Sequence, residues 1–200
     1  MTSDAVKKGL PTWAKILIGL VIAGTVLLVA VVIGGFVLIG NIQKDATNPA
    51  YIEKVTKSIV DIQALPPGYS YQMALDIGGL KTVVFQHKPD GTQITLVHFP
   101  QSSNKSSEEM TSELVDKGFP AQGASGKFEV TSKGTETVAG QPMSYVLGTA
   151  TNRTGTKEPG MIGTVVSPDK TKTLMIYGST PGDKYNMDAT KEFLASIKGF

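Results

Sequence analysis

The residues able to do acid–base or metal chemistry in this chain are few. Histidine occurs twice, at His87 and His98, and cysteine not at all. The missing thiols exclude disulfides, thiolate metal sites and a Cys nucleophile. If Asp90-Gly91 is a two-residue turn, His98 falls opposite Val83 and His87 lies four residues further along, ~13 Å at ~3.3 Å per residue. A zinc ion needs its nitrogen ligands within about 2.1 Å, so the two rings cannot share one in that register. Serines are plentiful, but there is no GxSxG elbow and no spacing that sets a Ser beside either His. Glu108, Glu109, Glu113 and Asp116 read as a solvated acidic helix face, with the early Glu residues suited to the helix N-terminus. No P-loop, GxGxxG, EF-hand or HExxH pattern occurs. No catalytic, cofactor-binding or metal-binding residue is therefore assigned, and the expectation is a protein that is not an enzyme and carries no cofactor.

The elements that position these residues divide into an apolar segment and a polar domain. Of 200 residues, 18% are charged, and the formal charge is +2. That charge lies in residues 1–15, where Lys7, Lys8 and Lys15 face one acid, Asp4. Residues 16–42 carry none, and residues 43–200 hold 16 basic and 16 acidic groups. A neutral domain whose one arginine is Arg153 is poor material for displacing counterions or reading bases, which argues against nucleic acid as a partner.

Ile16 to Gly40 runs 25 residues without a charge. As a helix it is about 37 Å long at ~1.5 Å per residue, enough to cross a hydrocarbon core of roughly 30 Å with some tilt. An isolated span must satisfy its backbone internally, which makes it a helix. The apolar run exceeds a signal-peptide core of roughly 7–15 residues, and no small-x-small cleavage site follows, so an uncleaved signal anchor is expected over 16–42. Trp13 stands where an interfacial aromatic belongs, and Lys7, Lys8, Trp13 and Lys15 are the expected membrane-interface anchors. The short basic N-terminus favours a cytoplasmic start and an extracytoplasmic (periplasmic or equivalent) C-terminal domain. Gly19, Ala23, Ala30 and Gly34 fall at about 0°, 40°, 20° and 60° on a helical wheel at ~100° per residue. This one stripe of two small-xxx-small pairs lets another membrane helix approach closely.

Residues 43–50 read as a linker and 51–200 as one globular domain. A helix is predicted from Pro49 to Ala64, with Tyr51, Ile52, Val55, Ile59, Val60 and Ile62 at helical spacing. Alternation from Tyr69 to Ile77 predicts a strand with Tyr69, Tyr71, Met73, Leu75 and Ile77 on its buried face. Gly78-Gly79 is a hairpin turn, followed by strands Leu80–Lys88 and Thr92–Phe99. Ser106-x-x-Glu109 is a capping box opening a helix that ends at Gly118. Strands are then predicted at Lys127–Ser132, Thr135–Val138 (after a Lys133-Gly134 turn), Met143–Thr151, Gly160–Ser167 and Thr171–Gly178. A closing helix, Met187–Lys198, buries Ala189, Phe193, Leu194 and Ile197. The fold class is α+β: a single N-terminal transmembrane helix, then a mainly antiparallel sheet with helices packed on its faces.

The order of elements, with Leu65-Pro66-Pro67-Gly68-Tyr69, Phe99-Pro100, Val138-Ala139-Gly140-Gln141-Pro142 and Phe193-Leu194-Ala195-Ser196-Ile197, resembles the PsbP-like fold, an α/β/α sandwich, over residues 50–200. The apolar anchor departs from the soluble members of that family. The resemblance implies a non-enzymatic domain that docks on a larger complex, in the PsbP case a photosynthetic membrane assembly, and carries over no catalytic or ligand residue.

Two functions follow as expectations. The first is an accessory or structural subunit, its partners the lipid bilayer and the transmembrane helices of a larger complex. The second is an anchored ligand-binding or sensing domain, which needs a pocket between sheet and helix with convergent polar groups; Tyr69, Tyr71 and Tyr145 are its candidate lining residues.

Overall fold

A computed structural model of the chain describes residues 45–99, 105–117, 128–151 and 155–200. The expected anchor 16–42, its packing residues Gly19, Ala23, Ala30 and Gly34, and the interface residues Lys7, Lys8, Trp13 and Lys15 lie outside the described residues. Among the described residues no helix is long and apolar enough to cross a membrane.

Helix α1 spans Pro49–Ile59, with Pro at its first position and Asn48 as N-cap, whose side-chain oxygen accepts from Ala50 N at 3.0 Å and Tyr51 N at 3.4 Å. It stops five residues before the predicted Ala64. Val60 takes an extended conformation, and Asp61–Ile62 becomes β1, paired with β9 (Ile197–Gly199) near the end of the chain. A long-range pairing thus takes Ile62 from the helical stripe it fitted locally.

The main sheet has seven strands, every pair antiparallel, in the order β2–β3–β4–β8–β7–β6–β5. These are β2 (Tyr69–Ile77), β3 (Leu80–His87), β4 (Gln93–Phe99), β5 (Phe128–Val138), β6 (Gln141–Thr151), β7 (Lys157–Val166) and β8 (Thr173–Ser179). Helices α2 (Ser107–Lys117) and α3 (Met187–Ser196) complete the domain. The mainly antiparallel α+β architecture is as the turn chemistry predicts. β8 lies mid-sheet and is buried along its whole length, which explains why it reads as a near-continuous apolar run.

One face of the sheet packs on α1 and α3. Ile52, Val55 and Ile59 of α1 join Phe193 and Leu194 of α3 over Val83, Phe85, Ile94, Leu96, Leu174 and Ile176. Ala189, Phe193 and Leu194 are buried as their helical spacing predicts; Ile197 is buried too, but the helix ends at Ser196 rather than Lys198, and Ile197 is extended and pairs with Ile62. The other face carries α2, whose Leu114 and Val115 pack on Phe128, Val146, Ile162 and Tyr177. The capping box forms: Ser106 N donates to Glu109 Oε2 at 2.7 Å, and Glu109 N donates to Ser106 Oγ at 3.2 Å.

Three further sequence expectations need correction. First, β2 does not alternate regularly. Tyr71 pairs with Phe85 and Met73 with Val84, so Gln72 is an inserted bulge residue. Tyr69 and Tyr71 face the core, but beyond the bulge it is Ala74 that is buried, while Met73, Leu75 and Ile77 turn to the opposite face. Second, Lys133-Gly134 is not a turn; β5 runs through it unbroken, and the chain reverses at Ala139-Gly140, both with left-handed φ (50° and 76°). Gly134 is small for a different reason: it lies opposite Tyr145, and a Cβ there would stand 2.5 Å from the ring Cζ. Third, the β3–β4 loop is longer than two residues, so His98 pairs with Lys81 rather than Val83.

Candidate functional site

The two histidines lie far apart. His87 ends β3 and His98 is opposite Lys81, six residues along that strand, ~20 Å at ~3.3 Å per residue. Among the described residues no group of three or more His, Cys, Asp or Glu stands close enough together to hold a metal ion.

His87 belongs to a polar cluster that joins the β3–β4 turn to the start of α3. Its Nδ1 is 2.7 Å from Asp90 Oδ1, which also accepts from Thr92 N at 2.9 Å. Asp90 Oδ2 accepts from Asn186 Nδ2. Asn186 is the N-cap of α3, its oxygen accepting from Ala189 N at 3.0 Å, and its own N–H donates to Thr180 Oγ1 at 3.2 Å. Thr180 and Thr92 hydroxyls close the ring at 3.0 Å. Partial burial by itself pushes the Asp90 carboxyl up, but the bonds from Thr92, His87 and Asn186 outweigh it and hold the group well below the usual carboxylate range. Asp90 therefore stays ionised, and an Asp–imidazole pair of this kind fixes the ring's tautomer. General-base chemistry would need a hydroxyl or substrate at Nε2. That atom instead faces Gly68, where a Cβ would lie 3.1 Å away, and the Tyr69 ring is 4.8 Å from the imidazole. The cluster pins three segments together.

His98 is half-buried on the α1/α3 side, and its Nδ1 is buried without a hydrogen bond. Burial first, then the ammonium groups of Lys81 and Lys172, hold its pKa below the ordinary imidazole value. It is a neutral packing residue. Tyr69 and Tyr71 also pack on this side; Tyr69 OH donates to Ala189 O at 2.6 Å, and burial drives its pKa far up.

Of the three tyrosines, Tyr145 lines a cleft. About 270 Å³ in volume, the cleft lies between α2 and strands β5–β6, lined by Glu108, Thr111, Ser112, Lys133, Thr135 and Ser144 besides Tyr145. Its floor is a hydroxyl cluster that seats α2. Ser107 Oγ accepts from Ser144 N at 2.8 Å and donates to Thr164 O, a single hydroxyl bridging β6 and β7. Thr111 Oγ1 is 2.8 Å from Thr164 Oγ1 and 3.0 Å from Ser144 O.

The third feature follows from the bulge. α2 packs on β6 and β7, whereas α1, the helix that packs on β2 and β3, does so from the opposite face. The half-face of β2–β4 on the α2 side carries Ser70, Met73, Leu75 and Ile77 from β2, Leu80, Thr82, Val84 and Gln86 from β3, and Gln93, Thr95, Val97 and Phe99 from β4; Ile77, Leu80 and Gln93 are exposed, Val97 is buried and the rest are half-buried. None of these residues is charged. The nearby Asp76, Lys81 and His98 pair across the strands on the other face. Ile77 is 59% and Leu80 42% exposed, the two most exposed large apolar residues described, at either side of the Gly78-Gly79 turn. The alternating pattern of β3 already puts Leu80, Thr82 and Val84 together. The contribution of β2 is hidden, because its bulge leaves no mark in the sequence.

No family model matches the chain, and no curated protein matches its sequence. Among solved structures it is similar to cyanobacterial PsbP (CyanoP) from Synechocystis sp. PCC 6803, at 11% identity over 68% of this chain and 84% of that one, with a TM-score of 0.43. It is also similar to LpqN of Mycobacterium tuberculosis, a protein involved in cell envelope biogenesis, at 13% identity over 68% and 80% of the two chains, with a TM-score of 0.41.

Proposed function

We propose that this chain is a non-enzymatic, single-pass membrane protein that serves as an accessory subunit of a larger membrane protein complex. Its outer domain docks through the uncharged half-face of β2–β4. The carrying observation is the end of that face: Ile77 and Leu80 are set toward solvent beside a tight turn, with Met73 and Leu75 half-buried next to them. Isolated exposed apolar residues are ordinary, whereas a contiguous patch is the signature of an interaction surface. The 25 uncharged residues from Ile16 to Gly40 support a membrane setting, and Gly19, Ala23, Ala30 and Gly34 supply a stripe against which partner helices fit. A photosynthetic or electron-transfer assembly enters this reading only through the resemblance to PsbP-like proteins.

The test is Leu80→Glu in the full chain, solubilised in mild detergent from membranes of its source organism and run on a native gel. Loss of co-migration with a large complex, at unchanged melting temperature, is the expected result. Unchanged co-migration would refute the docking role.

The cleft beside Tyr145 favours a second reading, an anchored ligand-binding domain. Polar groups of both signs, Glu108 and Lys133, converge there with Ser112 and Thr135. A screen of small polar metabolites by thermal shift, repeated on Lys133→Ala, tests it; no stabilisation by any compound counts against it.

A further inference from the structure

We propose that the cleft between α2 and β5–β6 binds a small zwitterion, a molecule that carries an amine and an acid group, such as a free amino acid. The inference rests on the ligand-binding reading of that cleft and names the class of its ligand.

The two walls carry opposite charge. Lys133 pairs across the ladder with Val146 and Thr135 with Ser144, and Val146 belongs to the apolar cluster under α2. Side chains alternate along a strand, so Lys133 and Thr135 stand on the α2 side. The bulge at Thr131 sets this register. Phe128 packs in the same cluster, and an unbroken count from it would bring Gly134 there in their place. The Tyr145 ring lies against Gly134 on the far side of the sheet, so Tyr145 borders the cleft through its main chain. On the opposite wall stand Glu108 and Ser112, one helical turn apart on one face of α2.

These groups are uncommitted. Elsewhere on α2 and β5 the acids are matched: Glu109 accepts from Ser106 N, Glu113 pairs with Lys105, Glu129 with Lys157 and Glu136 with Lys191. Glu108 and Lys133 line the cleft without an ion pair, and Ser112 and Thr135 without a side-chain hydrogen bond, among the described residues. α2 packs on β6 and β7 but makes no comparable contact with the edge strand β5, and the cleft is the gap between them. A ligand with a single charge is drawn to one wall and repelled by the other. A zwitterion suits both: its acid group accepts from Lys133 and Thr135, and its ammonium donates to Glu108 and Ser112. The volume, about 270 Å³, lies below the roughly 300–1,000 Å³ of drug-sized pockets and suits a molecule of that kind.

The full chain, in an uncharged maltoside detergent, is titrated with glycine, β-alanine, 4-aminobutyrate and 6-aminohexanoate, a series that widens the separation of the two charges. N-acetylglycine and glycinamide, which keep one charge each, are the controls. Amide hydrogen exchange over residues 107–116 and 132–137 is the readout. The expected result is saturable slowing of both segments by at least one zwitterion, about ten-fold at ten times its half-saturating concentration, and none by the controls. Glycerophosphoethanolamine is run beside the series; slowing by it alone assigns the zwitterion to a lipid headgroup, slowing by the amino acids to a free one, and either supports the proposal. Glu108→Lys and Lys133→Glu should each abolish the effect. The double variant, which restores opposite walls, should recover it. Equal slowing by the single-charge controls, or unchanged slowing in both single variants, overturns the proposal while leaving the ligand-binding reading intact. No slowing by any of these compounds overturns the proposal, and the reading falls with it if the thermal-shift screen of polar metabolites is also blank.

Discussion

Deleting Gln72 should leave every side chain of β2 on its present face. Tyr71 is paired with Phe85 and Met73 with Val84, so these two residues already occupy adjacent ladder positions and Gln72 is surplus. What the deletion removes is one exposed hydrogen bond, Gln72 Nε2 to Ser70 Oγ at 3.2 Å, and the local kink. The expected cost is about 1 kcal/mol or less, the range of surface changes that break no packing. Regular alternation from Tyr69 to Ile77 makes the opposite forecast. In a bulge-free strand, losing one residue flips everything on one side of the cut. Tyr69 and Tyr71 would then leave the core. Tyr69 is only 8% exposed, packs at 5.2 Å from the Phe193 ring and donates to Ala189 O at 2.6 Å; Tyr71 lies 5.4 Å from the Phe85 ring. Exposing two such aromatics costs roughly 1.5–3 kcal/mol each, and the hydrogen bond about 1 kcal/mol more. The sum, about 4–7 kcal/mol, approaches the whole stability of an ordinary domain, about 5–15 kcal/mol. Urea unfolding of residues 45–200, which contain both apolar clusters, separates the two outcomes, with near-ultraviolet circular dichroism reporting tyrosine packing. A loss above about 3 kcal/mol, or collapse of the tyrosine signal, would refute the bulge assignment.

Other consequences are open to measurement. Gly178→Ala should cost about 2–3 kcal/mol, because its Cβ would stand 2.6 Å from Cζ of the buried Tyr185; Tyr185→Phe should recover part of that loss, and strict additivity of the two changes by denaturant titration would count against the clash. Asp90→Asn should destabilise the domain at pH 7. The Asp90 carboxyl is held below its unfolded value, so its contribution is present above about pH 4 and fades as pH falls through the unfolded pKa of ~3.9 toward the folded one. The gap between parent and variant should therefore shrink from about pH 5 to pH 2, and a widening gap on acidification would contradict the sign. Thr111→Val keeps the shape of a residue 3% exposed while removing its bonds to Thr164 and Ser144. A loss of about 1–2 kcal/mol is expected, concentrated in the exchange protection of α2; uniform loss across the domain would argue against a local seat.

Local chemistry made most of the fold readable in the residues. Pro49, the Ser106–Glu109 box, Gly78-Gly79 and the apolar spacing of Ala189, Phe193 and Leu194 each act within a few positions, and each element starts where these put it. The misplacements share another cause. Ile62 is claimed by a strand 135 positions away, Ile197. Gly134 is small because Tyr145 lies across the ladder from it, not because a turn needs it. The Asp90 cluster combines Asn186, 96 positions distant, with an aspartate that looked like a turn residue. Pairings at such separations leave no periodicity to read.

If β2 alternated as its residues suggest, Met73, Leu75 and Ile77 would all lie in the core, and the sheet would show solvent only small and polar groups there. One inserted residue places Ala74 in the core position and turns three larger side chains outward. That costs buried apolar area: Ile77, 59% exposed, forgoes much of the roughly 1.5–3 kcal/mol its burial would give, and the half-buried Met73 and Leu75 forgo part of theirs. An unfavourable arrangement of this kind persists when something other than stability depends on it, since departures from locally optimal patterning concentrate at functional sites. Edge strands carry bulges to resist unwanted ladder pairing, and both β2 and β5 have one. Only β2's bulge also reorients a run of apolar side chains, from Met73 to Ile77, beside the exposed Leu80. Protection of an edge explains the bulge in β5, where Thr131 is polar and exposed. It does not explain why the residues after Gln72 include methionine, leucine and isoleucine; the docking role proposed for that face does.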